Sequence, residues 1–120
     1  MDRRVDYVIQ HIQNTYERHF SITELARLVN LSPSRVRHLF KRETGLTVHE
    51  YLKTIRMKRA KELLESTFLS VKQIVASVGL TDASHFVRDF KRTHGVTPRQ
   101  YRSRTATSAN KESFLPRDST

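Results

Sequence analysis

The chain has 120 residues and no cysteine, which limits it to one small domain or two very small ones and excludes disulfides and thiolate metal sites. Twenty-two Lys and Arg face 12 Asp and Glu, a net charge of +10, so an anionic partner is expected, with nucleic acid ahead of anionic lipid. The longest apolar run, Ile74–Val75–Ala76, is too short for a bilayer, and the opening MDRRVDYVIQHIQ lacks the apolar segment of a signal peptide. A cytoplasmic, nucleoid-associated location is expected.

Asp2 is placed to cap a first helix. Val5, Val8, Ile9, Ile12 and Tyr16 then recur at spacings of three and four, which predicts one apolar stripe on a helix ending near His19–Phe20. SITE (Ser21 to Glu24) is a capping-box signal: a serine and a glutamate three residues apart each satisfy a backbone donor of the other. TVHE from Thr47, SVKQ from Ser70 and TPRQ from Thr97 repeat the device. After SITE the spacing predicts a short helix at about Thr23–Val29, the turn NLS, and a longer helix opened by Pro33 and stopped at Gly45. Between Val48 and Ser66, the residues Leu52, Ile55, Ala60, Leu63 and Leu64 stripe a long helix. A second short helix follows at about Val71–Val78, then the turn GLT and a longer helix from about Asp82 to Thr93. A last short helix follows Pro98, and the Ser/Thr-rich segment 103–120 is expected to be a mobile tail.

The chain writes this pattern twice. RVRHLFKRETGLT from Arg35 returns as HFVRDFKRTHGVT from His85. Ile22, Leu25, Val29 and Leu31 match Val71, Ile74, Val78 and Leu80 at an offset of 49, and from Val36/Phe86 the offset is 50. One residue has therefore been added near Thr81–Asp82–Ala83. Caps, core positions and basic positions recur together, which chance similarity between amphipathic helices does not explain. Two helices joined by a three- or four-residue turn make a helix-turn-helix. The expected fold is all-α: two homeodomain-like helix-turn-helix units joined by a shared helix, about seven helices in all. The expected divisions are 1–20 (N-terminal helix on the first unit), 21–46 (first unit), 47–67 (linker helix), 68–102 (second unit with closing helix) and the tail.

The longer helix of each unit has a basic outer face. At about 100° per residue, Val36, Leu39 and Phe40 turn inward, and Ser34, His38 and Lys41 lie opposite, flanked by Arg37 and Arg42. In the second copy Phe86 and Phe90 turn inward, and Ser84, Arg88 and Lys91 lie opposite, flanked by Val87 and Arg92. On an isolated helix this is ordinary solvated charge. Repeated on the second helix of two helix-turn-helices in a basic chain, it points to duplex DNA. A major groove admits a helix and displays base edges. Arg37 and Arg88 have the fork that holds guanine O6 and N7, His38 and Ser84 can hydrogen-bond, and Ala83 and Val87 suit a thymine methyl. Arg35, Lys41, Arg42, Lys91 and Arg92 are assigned to phosphates, which give affinity without sequence information. Asp89 stands where the first copy has Leu39. Its expected partners are His85 or Arg92 at helical spacing, or Arg56; Arg56 and Arg59 are otherwise expected to pair with carboxylates or reach the DNA backbone.

LSPSRVRHLFKRETGLTVHEYL, RMKRAKELLES and SVKQIVASVGLTDASHFVRDFKRTHGVTPRQYR together resemble the DNA-binding domain of the AraC/XylS family of bacterial transcription regulators, over about Ser21 to Arg102. The resemblance implies two recognition helices entering successive major grooves on one DNA face. Ser34, Arg37 and His38 take the base-contacting positions of the first, and Ala83, Ser84, Val87 and Arg88 those of the second. Val75, Leu80 and His85 depart from the family's usual Ala, Phe and Tyr. The implied function is sequence-specific transcription regulation, as an activator, by a unit that binds DNA as a monomer, with RNA polymerase as a candidate partner. No cofactor, metal or membrane is expected.

Three rivals are weaker. HEYLK from His49 begins like the zinc motif HExxH, but Lys53 occupies the second ligand position, and neither a phosphate loop nor a nucleophile elbow is present, so no enzyme is expected. RMKRAK from Arg56 reads as a membrane-surface helix only if its apolar face is unused. A non-specific architectural DNA binder would need phosphate contacts alone, which leaves the different outer residues of the two copies without a purpose.

Overall fold

The computed structural model describes residues 1–105. Among them are seven helices and no strand. They are α1 (Arg3–Thr15), α2 (Ile22–Leu28), α3 (Pro33–Thr44), α4 (Val48–Ser66), α5 (Val71–Ser77), α6 (Ala83–His94) and α7 (98–105). The all-α, two-unit expectation is correct. The last helix runs three residues into the segment expected to be a tail, because Thr105 Oγ1 reaches back to the Tyr101 carbonyl at 3.2 Å. The rest of that expectation lies outside the described residues. The chain divides at Lys58/Arg59 into two compact units, and α4 passes through the division unbroken.

In the first unit, Val5, Val8 and Ile12 of α1 pack with Leu25, Leu39, Phe40 and Leu52 in one apolar core. Phe40 meets Tyr51 edge-on at 5.6 Å, and Gln13 Nε2 donates to the Tyr51 hydroxyl at 3.1 Å. Asp2 caps α1 as expected, and its own N–H donates to Glu43 at 2.7 Å, tying the start of α1 to the end of α3. The helix stops at Thr15, not near Phe20. Arg56, buried on α4, explains why: its Nε donates to the Tyr16 carbonyl at 2.7 Å and its Nη2 to the Arg18 carbonyl at 3.1 Å. Carbonyls that a longer helix would use internally are held from outside. The expectation that Arg56 pairs with a carboxylate or reaches DNA is therefore corrected.

The capping box at Ser21 is only half made. Ser21 Oγ accepts from Glu24 N at 3.2 Å, but the Glu24 carboxylate is engaged by Arg18 at 2.8 Å. The pairs Thr47/Glu50, Ser70/Gln73 and Thr97/Gln100 make both bonds.

The second unit rebuilds this plan. Ala60, Leu64, Ile74, Val75, Val78, Phe86, Phe90 and Pro98 are buried, so Val75 packs as core. Phe90 meets Tyr101 edge-on at 5.5 Å, and the Tyr101 hydroxyl donates to Glu65. The turns share their closing bond. Leu31 N bonds the Ala26 carbonyl and Leu80 N the Val75 carbonyl, each at 3.0 Å. Asn30 (φ 58°) and Gly79 (φ 88°) take the left-handed conformation that this bond requires. The N-caps that follow are Ser32 and Asp82, offset by 50, which identifies the added residue as Thr81. Full burial of Phe40 and Phe90 is worth roughly 2–3 kcal/mol each relative to exposure.

Candidate nucleic-acid interface

Each longer helix is aimed by its ends. Ser32 caps α3 by accepting from Arg35 N at 3.2 Å, with Pro33 in the first turn, and Gly45 (φ 80°) closes it with its N–H on the Lys41 carbonyl. Asp82 caps α6 by accepting from His85 N at 3.0 Å, and Gly95 (φ 80°) closes on Lys91. Between these fixed ends, Val36, Leu39 and Phe40 bury one side of α3, and Phe86, Asp89 and Phe90 one side of α6. The registers are therefore equal.

That register exposes the expected residues. On α3, Ser34, Arg35, Arg37, His38, Lys41 and Arg42 are all exposed. On α6, Ser84, Arg88, Lys91 and Arg92 are exposed, whereas Ala83 and Val87 are half-buried. Each helix thus brings its own set onto one outer face. Lys41 and Arg42, and Lys91 and Arg92, lie in last turns, where cations also offset the helix dipole.

The two faces differ in how their charge is balanced, and sequence reading missed this. Glu50 accepts from Thr47 N and stands 3.9 Å from Lys41 Nζ. Bonding by Thr47, then the charge of Lys41, holds its carboxyl below the usual range. In the second unit Gln100 occupies the equivalent position and offers Lys91 no charge. Conversely, Asp89 Oδ1 lies 3.7 Å from Arg92 Nη1 and Asp89 Oδ2 lies 3.9 Å from His85 Nε2. Arg42 has no carboxylate within ion-pair distance among the described residues. The carboxylate therefore stands beside Lys41 on α3 but beside Arg92, the counterpart of Arg42, on α6. The signal was in the sequence, as Glu50 against Gln100 and Leu39 against Asp89, at the repeat offset. Asp89 therefore has the helical-spacing neighbours expected of it, while Arg56 is committed to Tyr16 and Arg18 in the first unit.

Arg59 pairs with Glu62 at 3.1 Å. No group of three or more His, Asp or Glu able to hold a metal occurs among the described residues, and no helix among them is long and apolar enough to cross a membrane.

Residues 25–104 match the family model described as a helix-turn-helix domain. The arabinose operon regulatory protein of Salmonella typhimurium is 36% identical over 104 residues, which are 86% of this chain and 37% of that protein. The HTH-type transcriptional activator RhaR of Mannheimia succiniciproducens is 32% identical over 101 residues, 84% of this chain and 37% of that protein. Among solved structures, the C-terminal domain of AraT, a response regulator from Geobacillus stearothermophilus, is 33% identical with a TM-score of 0.76, covering 85% of each chain. The fold and the two outward basic faces define a double helix-turn-helix domain. The chain belongs to the AraC/XylS family of such domains. It spans little more than a third of the length of the two curated relatives named here.

Proposed function

We propose that the chain is the sequence-specific, double-stranded DNA-binding domain of a transcription regulator, and that the regulator acts as an activator. Each unit sets its recognition helix, α3 or α6, into a major groove, at half-sites ~10–10.5 bp apart. Ser34, Arg37 and His38 read one half-site; Ala83, Ser84, Val87 and Arg88 read the other. Arg35, Lys41, Arg42, Lys91 and Arg92 hold phosphates. The domain binds as a monomer in the cytoplasm, and RNA polymerase is the protein partner an activator would engage.

The observation that carries this reading is the paired outer face. The two copies bury matching positions and expose different side chains, as a reader of an asymmetric site requires. The regulatory names of the relatives support the same reading. A purely architectural binder has no use for the difference. At fixed salt, the affinity for a selected duplex should exceed that for random duplex by roughly 10³-fold or more. A ratio near one would overturn the proposal.

A further inference from the structure

The first unit contains a cleft of about 420 Å³ beside its recognition helix α3. Phe20, Ile22, Val48 and Leu52 wall it, and Arg37 and His49 share its lining. Its size falls in the range of small-molecule sites and offers room for roughly a dozen non-hydrogen atoms at ~30 Å³ each. No carboxylate is found in the lining, and Arg37 carries a permanent charge. Apolar walls beside one fixed cation fit an organic anion: the walls take the body, and the guanidinium fork takes a carboxylate. A neutral apolar molecule would leave Arg37 unused, and a cation would be repelled.

The second unit does not repeat this chemistry. At the repeat offset, Val87 stands for Arg37, Arg102 for Leu52, and the buried Pro98 for Val48. At these positions the second unit does not pair an apolar wall with a cation in the place of Arg37.

We propose that this cleft binds a small organic anion, a carboxylate on an apolar body, and that its occupancy withdraws Arg37 from DNA. The second half rests on the base-reading role proposed for Arg37. One guanidinium fork cannot hold a carboxylate and a guanine edge together. The ligand therefore weakens the first reader and leaves the second intact.

Octanoate is the probe, octanol the uncharged control, and the full chain is titrated at constant ionic strength while methyl NMR shifts are followed. Octanoate should give saturable shifts confined to Ile22, Val48, Leu52 and their neighbours. Octanol should bind about fivefold more weakly, as for a solvent-accessible ion pair. Arg37→Gln should bring octanoate down to the level of octanol. Val48→Phe, which fills the cleft from a residue outside the recognition helix, should abolish octanoate binding while leaving DNA affinity intact. Ile22→Phe serves the same end if Val48→Phe fails to fold by circular dichroism. Scattered or unsaturable shifts, or equal binding of octanol, would overturn the site. Saturating octanoate should weaken DNA binding by the native chain and not by Val48→Phe; unchanged DNA affinity in the native chain would overturn the regulatory half. The octanoate titration contains no DNA, so it succeeds or fails independently of sequence-specific recognition.

Discussion

Arg56→Met separates a structural cation from a DNA-contacting one. Arg56 is 8% exposed, and its guanidinium donates to two carbonyls, at 2.7 and 3.1 Å, in the segment after α1. Hydrogen bonds from a charged donor contribute roughly 1.5–3 kcal/mol each. Removing the buried charge returns part of its desolvation cost, which arises from the same burial that lowers the Arg56 pKa. Methionine keeps the apolar stem but leaves the carbonyls of Tyr16 and Arg18 without this donor. The net loss should be about 2–4 kcal/mol, or a Tm lower by at least ~8 °C for a unit of this size. Thermal unfolding followed by circular dichroism measures it. DNA affinity as a function of salt supplies the second readout. A lost phosphate contact lowers the logarithmic salt slope by ~0.9. The slope should stay unchanged in Arg56→Met below its Tm. An unchanged Tm together with a slope reduced by ~0.9 would refute the reasoning and return Arg56 to the DNA backbone.

Arg88→Ala should cost ~1–3 kcal/mol on the preferred site and relax one base position, whereas equal weakening of all sequences would make Arg88 a phosphate contact. Lys91→Ala should reduce the salt slope by ~0.9, and Lys41→Ala by less, because Glu50 already tempers Lys41; equal effects would deny Glu50 that role. At Gly45 and Gly95 an added Cβ meets nothing within 4 Å, so Gly→Ala at either should cost only backbone strain in the left-handed region, ~1–2 kcal/mol in urea unfolding. No loss there would mean the cap relaxes freely. Burial, reinforced by the bond to Glu65, pushes the Tyr101 hydroxyl up to about 12 from its ordinary 10.0. A raised folded-state pKa adds stability that is fully present below the unfolded pKa and lost as pH rises through the folded one. Tyr101→Phe should therefore flatten the stability profile between about pH 10 and 12; an unchanged slope would rule the pair out as its source.

What could be read from the sequence was local or periodic. Ser32, Ser70, Asp2 and the glycines Gly45 and Gly95 act within one turn of themselves, so their roles follow from neighbours a few residues away. The buried faces of α3 and α6 follow from helical period, and with them the outward placement of Arg37, His38 and Arg88. Long-range capture was not legible. Arg56 lies 38 and 40 residues from the carbonyls it holds, and nothing in RMKRAK marks it as different from Arg59. The end of α1 was misplaced for the same reason, since its stop signal comes from α4. The half-made box at Ser21 failed because Arg18, outside the motif, competes for Glu24. The tempering of Lys41 and Arg92 was encoded in repeat differences, but it needed both copies in register and the distances across each helix.

The most direct measurement is selection from random duplexes followed by hydroxyl-radical and groove-specific footprinting of one bound copy. The central claim is two different readers in one chain. It predicts a non-palindromic site, one protein per duplex, and two protected major-groove segments ~10–10.5 bp apart. Arg88→Ala should erase information from one segment and Arg37→Ala from the other. A single protected segment, or a palindrome bound by two copies, would contradict it.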